Sequence, residues 1–138
     1  MKLPILLFFV CFSLSFAQDN AKAVPVSAIN RKELFTAVLG KEKSVSNVKV
    51  VEVTMGKKQR APLHLHPCVT MGVVTEGVIT FQIEGQPEQF LKAGDTFFEP
   101  ENVRIAKFNN ESDSTAKFVV FYLLKKEGDF TLQVIEKE

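Results

Sequence analysis

Short segments in which apolar and polar residues alternate recur along most of this chain. In residues 78–84, for example, Ile79, Phe81 and Ile83 alternate with polar residues. Alternation of this kind puts every second side chain on the same face of a β-strand. The segments that we predict to be strands are residues 47–55, 71–75, 78–84, 88–92, 96–99, 103–108, 116–124 and 130–135.

Turn signals that contain glycine separate several of these segments. The pair Glu76-Gly77 predicts that residues 71–75 and 78–84 form a hairpin with one buried face. Residues 31–39 fit either a short helix or an edge strand, and their Thr and Val content favours the strand. Many short strands without a convincing helix indicate an all-β sandwich or barrel, and closing a sheet into a barrel removes its exposed edges.

The N-terminal segment, residues 1–17, has the features of a secretory signal peptide. Its apolar block is shorter than the roughly 20 residues of a membrane span. Small residues at Ser15 and Ala17 suit cleavage after Ala17. Val10 stands where lipid attachment at Cys11 would need a small residue, so we expect no lipid anchor. We therefore expect the protein to be secreted or periplasmic, with no membrane attachment after cleavage.

The rest of the chain is predicted to form a single domain. Residues 18–30 have few large apolar side chains and include Pro25, so we expect an extended lead-in before a domain over residues 31–138. The chain has 17 basic and 16 acidic residues, and removal of Lys2 with the signal leaves 16 of each. This balance offers no basic surface for nucleic acid. Cys68 is the single cysteine of the mature chain, so no intramolecular disulfide is expected.

The two histidines of the chain, His64 and His66, lie one residue apart in a segment that we expect to be extended. In a β-strand, residues i and i+2 point to the same face, so both imidazoles leave the strand together. Two imidazoles that converge on one point form half of a typical metal site. The alternative is a pair of polar strand residues that binds no metal.

The stretch over residues 56–109 resembles the paired motifs of the cupin superfamily, which are written G-x5-H-x-H-x3/4-E-x6-G and G-x5-P-x-G-x2-H-x3-N. The residues that match the first motif are His64, His66 and Gly77, and those that match the second are Gly94, Pro100 and Asn109. The resemblance implies an all-β, cupin-type double-stranded β-helix, also called a jelly-roll barrel. It also implies a binding site inside the barrel.

The chain departs from these motifs at several positions. The glutamate of the first motif falls on Thr70 or Met71, and Gly56 lies two residues too early to be its opening glycine. In the second motif, Asn102 replaces the glycine and Ile105 replaces the histidine. Two of the four usual metal ligands of the family are therefore absent. We expect an apolar wall at Ile105 instead.

A carboxylate in the second motif can complete the histidine pair. Side chains alternate along residues 96–99, and the resemblance implies that the residue at Glu99, commonly an isoleucine in cupins, points inward. A buried carboxylate needs a partner, which a metal or a hydrogen-bonded ligand supplies. His64, His66 and Glu99 would then form a two-histidine, one-carboxylate site that suits iron or manganese. The alternative is that Glu99 is an ordinary exposed strand residue.

Cys68 is the alternative third ligand. It continues the alternation of residues 64, 66 and 68, so its sulfur would lie beside the imidazoles if Pro67 does not turn the strand. A thiolate with two histidines suits zinc or copper. Otherwise Cys68 is a small buried apolar residue, as most unpaired cysteines are.

The 13 phenylalanines of the chain indicate a core and a cavity wall rich in aromatic rings. Such a wall fits a small, largely apolar or aromatic ligand. The sequence thus favours an exported small cupin-domain protein that binds such a ligand and one divalent metal. The alternative is a metal-dependent oxygenase or isomerase that acts on a small aromatic or apolar substrate. Edge strands at residues 31–38 or 130–135 would allow a homodimer.

Overall fold

A computed structural model of the protein describes residues 30–40, 42–126 and 133–134, the last two by their backbone alone. No helix occurs in these residues, and hence none that could cross a membrane. The strands within them are β1 (Asn47–Met55), β2 (His64–Leu65), β3 (Val69–Glu76), β4 (Val78–Ile83), β5 (Gln89–Lys92), β6 (Thr96–Glu99), β7 (Ile105–Asn109), β8 (Ala116–Leu124) and β9 (Gln133–Val134).

The chain divides into two compact units, Met1–Lys32 and Glu33–Glu138. Of the first unit only residues 30–32 are described, and they are exposed and have no regular structure. All the described strands lie in the second unit. The predicted signal peptide, residues 1–17, and most of the predicted lead-in lie outside the described residues.

The strands form two antiparallel sheets. The first sheet has the order β1-β8-β3-β6, and the second has the order β5-β4-β7-β2-β9. Most connections lead from one sheet to the other. Among strands that follow each other along the chain, only β4 and β5 pair within the described residues. This all-β jelly-roll arrangement is the fold that the motifs predict.

The predicted hairpin around Gly77 is wrong, because β3 belongs to the first sheet and β4 to the second. The chain crosses between the sheets at Gly77, whose φ is +75°. A Cβ atom added there would lie 2.9 Å from the carbonyl oxygen of Thr115. Glycine is therefore required for two reasons: the backbone is left-handed here, and the start of β8 approaches the chain too closely for a side chain. The true hairpin partner of β4 is β5.

Local alternation predicted most strand positions well. The predicted bounds of β1, β6 and β8 are those observed, and β7 begins two residues later than predicted. Residues 31–39 are not a strand, because they have no regular structure and pair with no described strand. Their apolar side chains are exposed or half-buried, and Val38 is 86% exposed.

The core between the two sheets is built around four phenylalanines. Phe81, Phe97, Phe108 and Phe118 are buried, and their ring centroids lie 4.8 to 6.3 Å apart in tilted and edge-on contacts. Such ring pairs stabilise a core beyond the area that they bury. Not every phenylalanine is buried, because Phe90 is 68% exposed on the edge strand β5.

A buried asparagine ties two loops together at one end of the barrel. The Asn110 side chain donates hydrogen bonds to the carbonyls of Met55, Gly56 and Ser114, and accepts two from Ser112. These bonds join the end of β1 to the loop between β7 and β8. The segment that leads from β1 to the histidines is thereby held in place.

Candidate metal centre

Both histidines lie in the interior, with exposed fractions of 3% for His64 and 5% for His66. Only His64 belongs to a strand, because β2 ends at Leu65. The two imidazoles still face one cavity, and their ring centroids are 5.3 Å apart. The expected convergence of the two side chains is therefore observed, although the strand is shorter than the spacing suggested.

A backbone acceptor fixes the orientation and the tautomer of His64. Its Nδ1 lies 2.7 Å from the carbonyl oxygen of Pro62, so Nδ1 carries the proton and donates it. The Nε2 atom then has its lone pair available for a ligand. Burial lowers the pKa of His64, and the Pro62 hydrogen bond and the charge of Glu99 offset part of this effect. The neutral imidazole that metal binding needs is thus the favoured form.

Glu99 is the last residue of β6 and points inward, with 3% of its surface exposed. Its Oε2 atom lies 3.1 Å from Nε2 of His66. The interior position agrees with the orientation that the resemblance implied. The opposite expectation, an ordinary exposed strand residue, is wrong.

The turn after Glu99 connects the strand that carries Glu99 to the segment that carries the histidines. Its Asn102 has a φ of +60°, in the left-handed region that glycine favours and asparagine tolerates. The amide of Asn102 donates to the carbonyl oxygen of His66 at 2.8 Å. Asparagine therefore performs the backbone role of the missing motif glycine. The bond holds the end of β6 close to the second histidine.

His64, His66 and Glu99 together form a group that can hold a metal ion. One ligand atom from each lies within 4.8 Å of the other two. Tetrahedral ligands at about 2.1 Å from one ion are about 3.4 Å apart, so the group would contract by up to about 1.4 Å on binding. His66 Nδ1 is buried without a hydrogen-bond partner, which is typical of sites that take up an ion or a water. The residues present fit a divalent metal.

Cys68 does not belong to this group of ligand atoms. The chain bends at Pro67 and Cys68, which ends the alternation that would have aligned the thiol with the imidazoles. The sulfur is buried and lies 3.9 Å from the hydroxyl oxygen of Thr70. Ile105, opposite His64 on β7, is fully buried in the hydrophobic core, but it is not among the residues that line the cavity beside the histidines.

A cavity of about 300 Å³ opens beside the three residues. Its volume lies at the small end of the range for ligand pockets. The walls are mainly apolar, as the phenylalanine content predicted. The lining residues are Val53, Met55, Gln59, Arg60, Ala61, Pro62, His64, His66, Phe97, Glu99, Phe108, Phe118, Val120 and Tyr122.

Tyr122 is a cavity residue that the sequence reasoning missed. Its ring contacts His66 edge-on, with centroids 5.5 Å apart. Burial, followed by the charges of Glu99 and Cys68, raises the pKa of Tyr122 to about 12, so the phenol stays protonated at neutral pH. The available signal was its alternation with Phe118 and Val120 in β8, which puts these three side chains on the inner face.

Comparison with known proteins supports the same architecture. The sequence profile of the family described as Cupin domain matches residues 51–122, which contain all three candidate ligands. No curated protein shows significant sequence similarity to this chain.

Three solved structures illustrate the structural likeness. DMSP lyase DddQ from Ruegeria pomeroyi DSS-3 is 21% identical, with a TM-score of 0.55 over 63% of this chain and 42% of its own. An oxalate oxidase is 20% identical, with a TM-score of 0.55 over 86% and 76%. The polyketide cyclase RemF from Streptomyces resistomycificus is 15% identical, with a TM-score of 0.55 over 66% and 62%. The chain spans less than half the length of the DMSP lyase chains that it matches.

Proposed function

Because this chain belongs to the Cupin domain family, we propose that it is an exported binding protein with two adjoining sites. One site holds a divalent metal ion on His64, His66 and Glu99. The other is the apolar cavity beside them, which takes a small, largely apolar or aromatic molecule. The proposal of export rests on the signal-like residues 1–17.

The observation that carries the proposal is the convergence of three buried ligand side chains at the polar end of an apolar cavity. Burying two imidazoles and a carboxylate is costly, and the contact between His66 and Glu99 satisfies only part of their capacity. A cation between them satisfies the rest. The Pro62 carbonyl supports this role, because it leaves the Nε2 lone pair of His64 available.

The donor set of two histidines and one carboxylate favours iron or manganese. A bound divalent ion would act as a Lewis acid toward a ligand oxygen. With Ile105 at the fourth position of the motif, the protein supplies three ligands, which leaves room for ligand or water atoms. We expect weaker metal binding than at a four-ligand site.

An enzyme, namely a metal-dependent oxygenase or isomerase, is the second candidate function. The side chain of Tyr122 favours it, because this residue lines the same cavity and its protonated phenol can donate a hydrogen bond to a bound substrate. Oxygen uptake and product analysis with small phenolic substrates, on protein of known metal content, distinguish the two functions. Stoichiometric metal with turnover would establish the enzyme.

Metal titration of single variants tests the metal half of the proposal. We expect His66→Ala and Glu99→Gln to lose most of the affinity, because each removes one of only three ligands. Glu101→Gln is a matched control, since it makes the same chemical change two residues away and outside the ligand group.

Cys68→Ala should leave metal binding intact. If Cys68→Ala loses the metal while Glu99→Gln keeps it, the thiolate is the third ligand, and zinc or copper is then favoured. If none of these changes alters metal content, the group is not a metal site.

A further inference from the structure

Arg60 lies at the boundary between the cavity and solvent. It lines the cavity, while 69% of its side chain is exposed. Its backbone is fixed by a bridge to Asn109 and by hydrogen bonds on both sides, from Ala61 N to the Phe108 carbonyl and from Asn110 N to the Gln59 carbonyl. The guanidinium is therefore presented from a well-held position. We call the exposed side of the cavity formed by Gln59 and Arg60 the mouth.

The charges around the mouth leave a positive excess. The loop before β2 carries Lys57, Lys58 and Arg60, and the facing loop carries only Glu111 and Asp113. Asp113 pairs with both lysines. Glu111 Oε1 lies 3.3 Å from Nη2 of Arg60. This contact uses one nitrogen of a guanidinium that has five N–H donors, so the side chain can bind a second carboxylate.

The two ends of the cavity differ in charge. Arg60 is the only Lys or Arg among the described residues that line it. His64 pairs with Ile105 and Arg60 with Asn109, four residues further along β7, so Arg60 lies away from the histidines and from Glu99 beside them. Apolar side chains such as Val53, Phe118 and Val120 cover the walls in between. An anionic group is therefore favoured at the mouth, and an apolar body is favoured inside.

We infer that the ligand of this cavity is a small carboxylic acid with an apolar or aromatic body, and that Arg60 determines this specificity by binding the carboxylate. The inference deepens the proposed ligand-binding function and rests on it. A guanidinium matches the planar geometry of a carboxylate and can bind both oxygens. The existing Glu111 contact shows that the side chain already meets a carboxylate at this place. A phosphate dianion is less favoured, because one partly paired cation balances only half of its charge.

The test compares two probes that differ only in charge, 3-phenylpropanoate and 3-phenylpropanamide. Their dissociation constants are measured by calorimetry, or by ligand-observed NMR if binding is weak. We expect the wild-type protein to bind the acid about tenfold more tightly than the amide, since hydrogen bonds to charged groups are the stronger ones. Arg60→Gln should abolish this preference, and Glu111→Gln should increase it by releasing the guanidinium. High salt should reduce the preference, because the pair is partly exposed.

Arg104→Gln is the matched control. Arg104 forms a guanidinium–carboxylate pair with Glu84 at the same 3.3 Å distance, but it does not line the cavity. This change should leave the acid preference intact.

Equal affinity of the wild type for both probes would overturn the inference while leaving the apolar cavity as a binding site. A preference that survives Arg60→Gln would also overturn it, and would assign the carboxylate to the metal end. If the wild type binds neither probe, both the inference and the proposed ligand-binding function are wrong. The metal-binding proposal is tested separately by the metal titrations.

Discussion

Nε2 of His66 lies 3.1 Å from Oε2 of Glu99, and this contact joins the two sheets of the barrel deep in its interior. His66 follows β2 in the second sheet, and Glu99 ends β6 in the first. Both side chains are almost fully buried. Removing either partner leaves the other buried without its partner, which is destabilising. Substitutions at this pair should therefore affect both ligand binding at the site and the packing of the two sheets.

Metal affinity should depend on pH. The imidazoles must be unprotonated to bind an ion, so we expect the affinity to fall by tenfold or more between about pH 8 and pH 5. The lowered pKa of His64 delays this loss for one of the two ligands. Calorimetric titration across this range measures the effect, and an affinity that does not change with pH would argue against histidine ligands.

Asn110 should be among the most sensitive positions for stability. Asn110→Ala removes a fully buried side chain that makes hydrogen bonds in two loops, and we expect a loss of about 2–4 kcal/mol in the free energy of unfolding. Asn109 is a neighbouring control, because its buried Oδ1 has no hydrogen-bond partner. Asn109→Ala should cost clearly less. Urea denaturation of both variants checks the order, and equal losses would contradict it.

Glu101 should make stability depend on acid pH. Hydrogen bonds from Lys125 and Lys43 lower its pKa below the ordinary value of 4.5. A lowered carboxyl pKa contributes stability that is complete above about pH 4.5 and is lost as the pH falls through the folded-state pKa. Glu101→Gln should therefore be less stable than the wild type by about 1 kcal/mol at pH 7, and the difference should be clearly smaller at pH 3. A difference that stays constant between these pH values would refute the role of these ion pairs.

The mature protein should begin at Gln18. The prediction rests on the small residues Ser15 and Ala17 before the cleavage position and on the polar residues that follow it. The intact mass of the protein exported by a bacterial host checks it. A species that retains Met1, or one with a lipid on Cys11, would show that the segment has another role.

A homodimer is expected to form through an exposed strand edge. Residues 31–38 no longer qualify, because they have no regular structure. β9 remains available as the edge of the second sheet within the described residues. Unpaired edges promote association with a second copy. Light scattering at tens of micromolar should give the mass of a dimer, and a monomer mass would contradict the prediction.

The sequence by itself determined the parts of this protein that depend on local periodicity. A period of two residues places β1, β6 and β8, because the alternation of apolar and polar side chains reflects a strand with one buried face. The same rule predicted that His64 and His66 lie on one side of the chain, whereas the inward direction of Glu99 was implied by the cupin resemblance. Membership of the cupin family followed from the spacing of these residues and is confirmed by the family profile.

Tertiary structure alone decided which strands are neighbours. Alternation specifies that a segment is a strand but not its partner, so the pair Glu76-Gly77 suggested a hairpin where the chain in fact crosses between sheets. Tyr122 and Arg60 reach the cavity only through the pairing of β8 with β3 and through the bridge from Arg60 to Asn109. Such contacts join residues far apart in the chain, and their energies depend on the whole packed barrel. No local pattern contains that information.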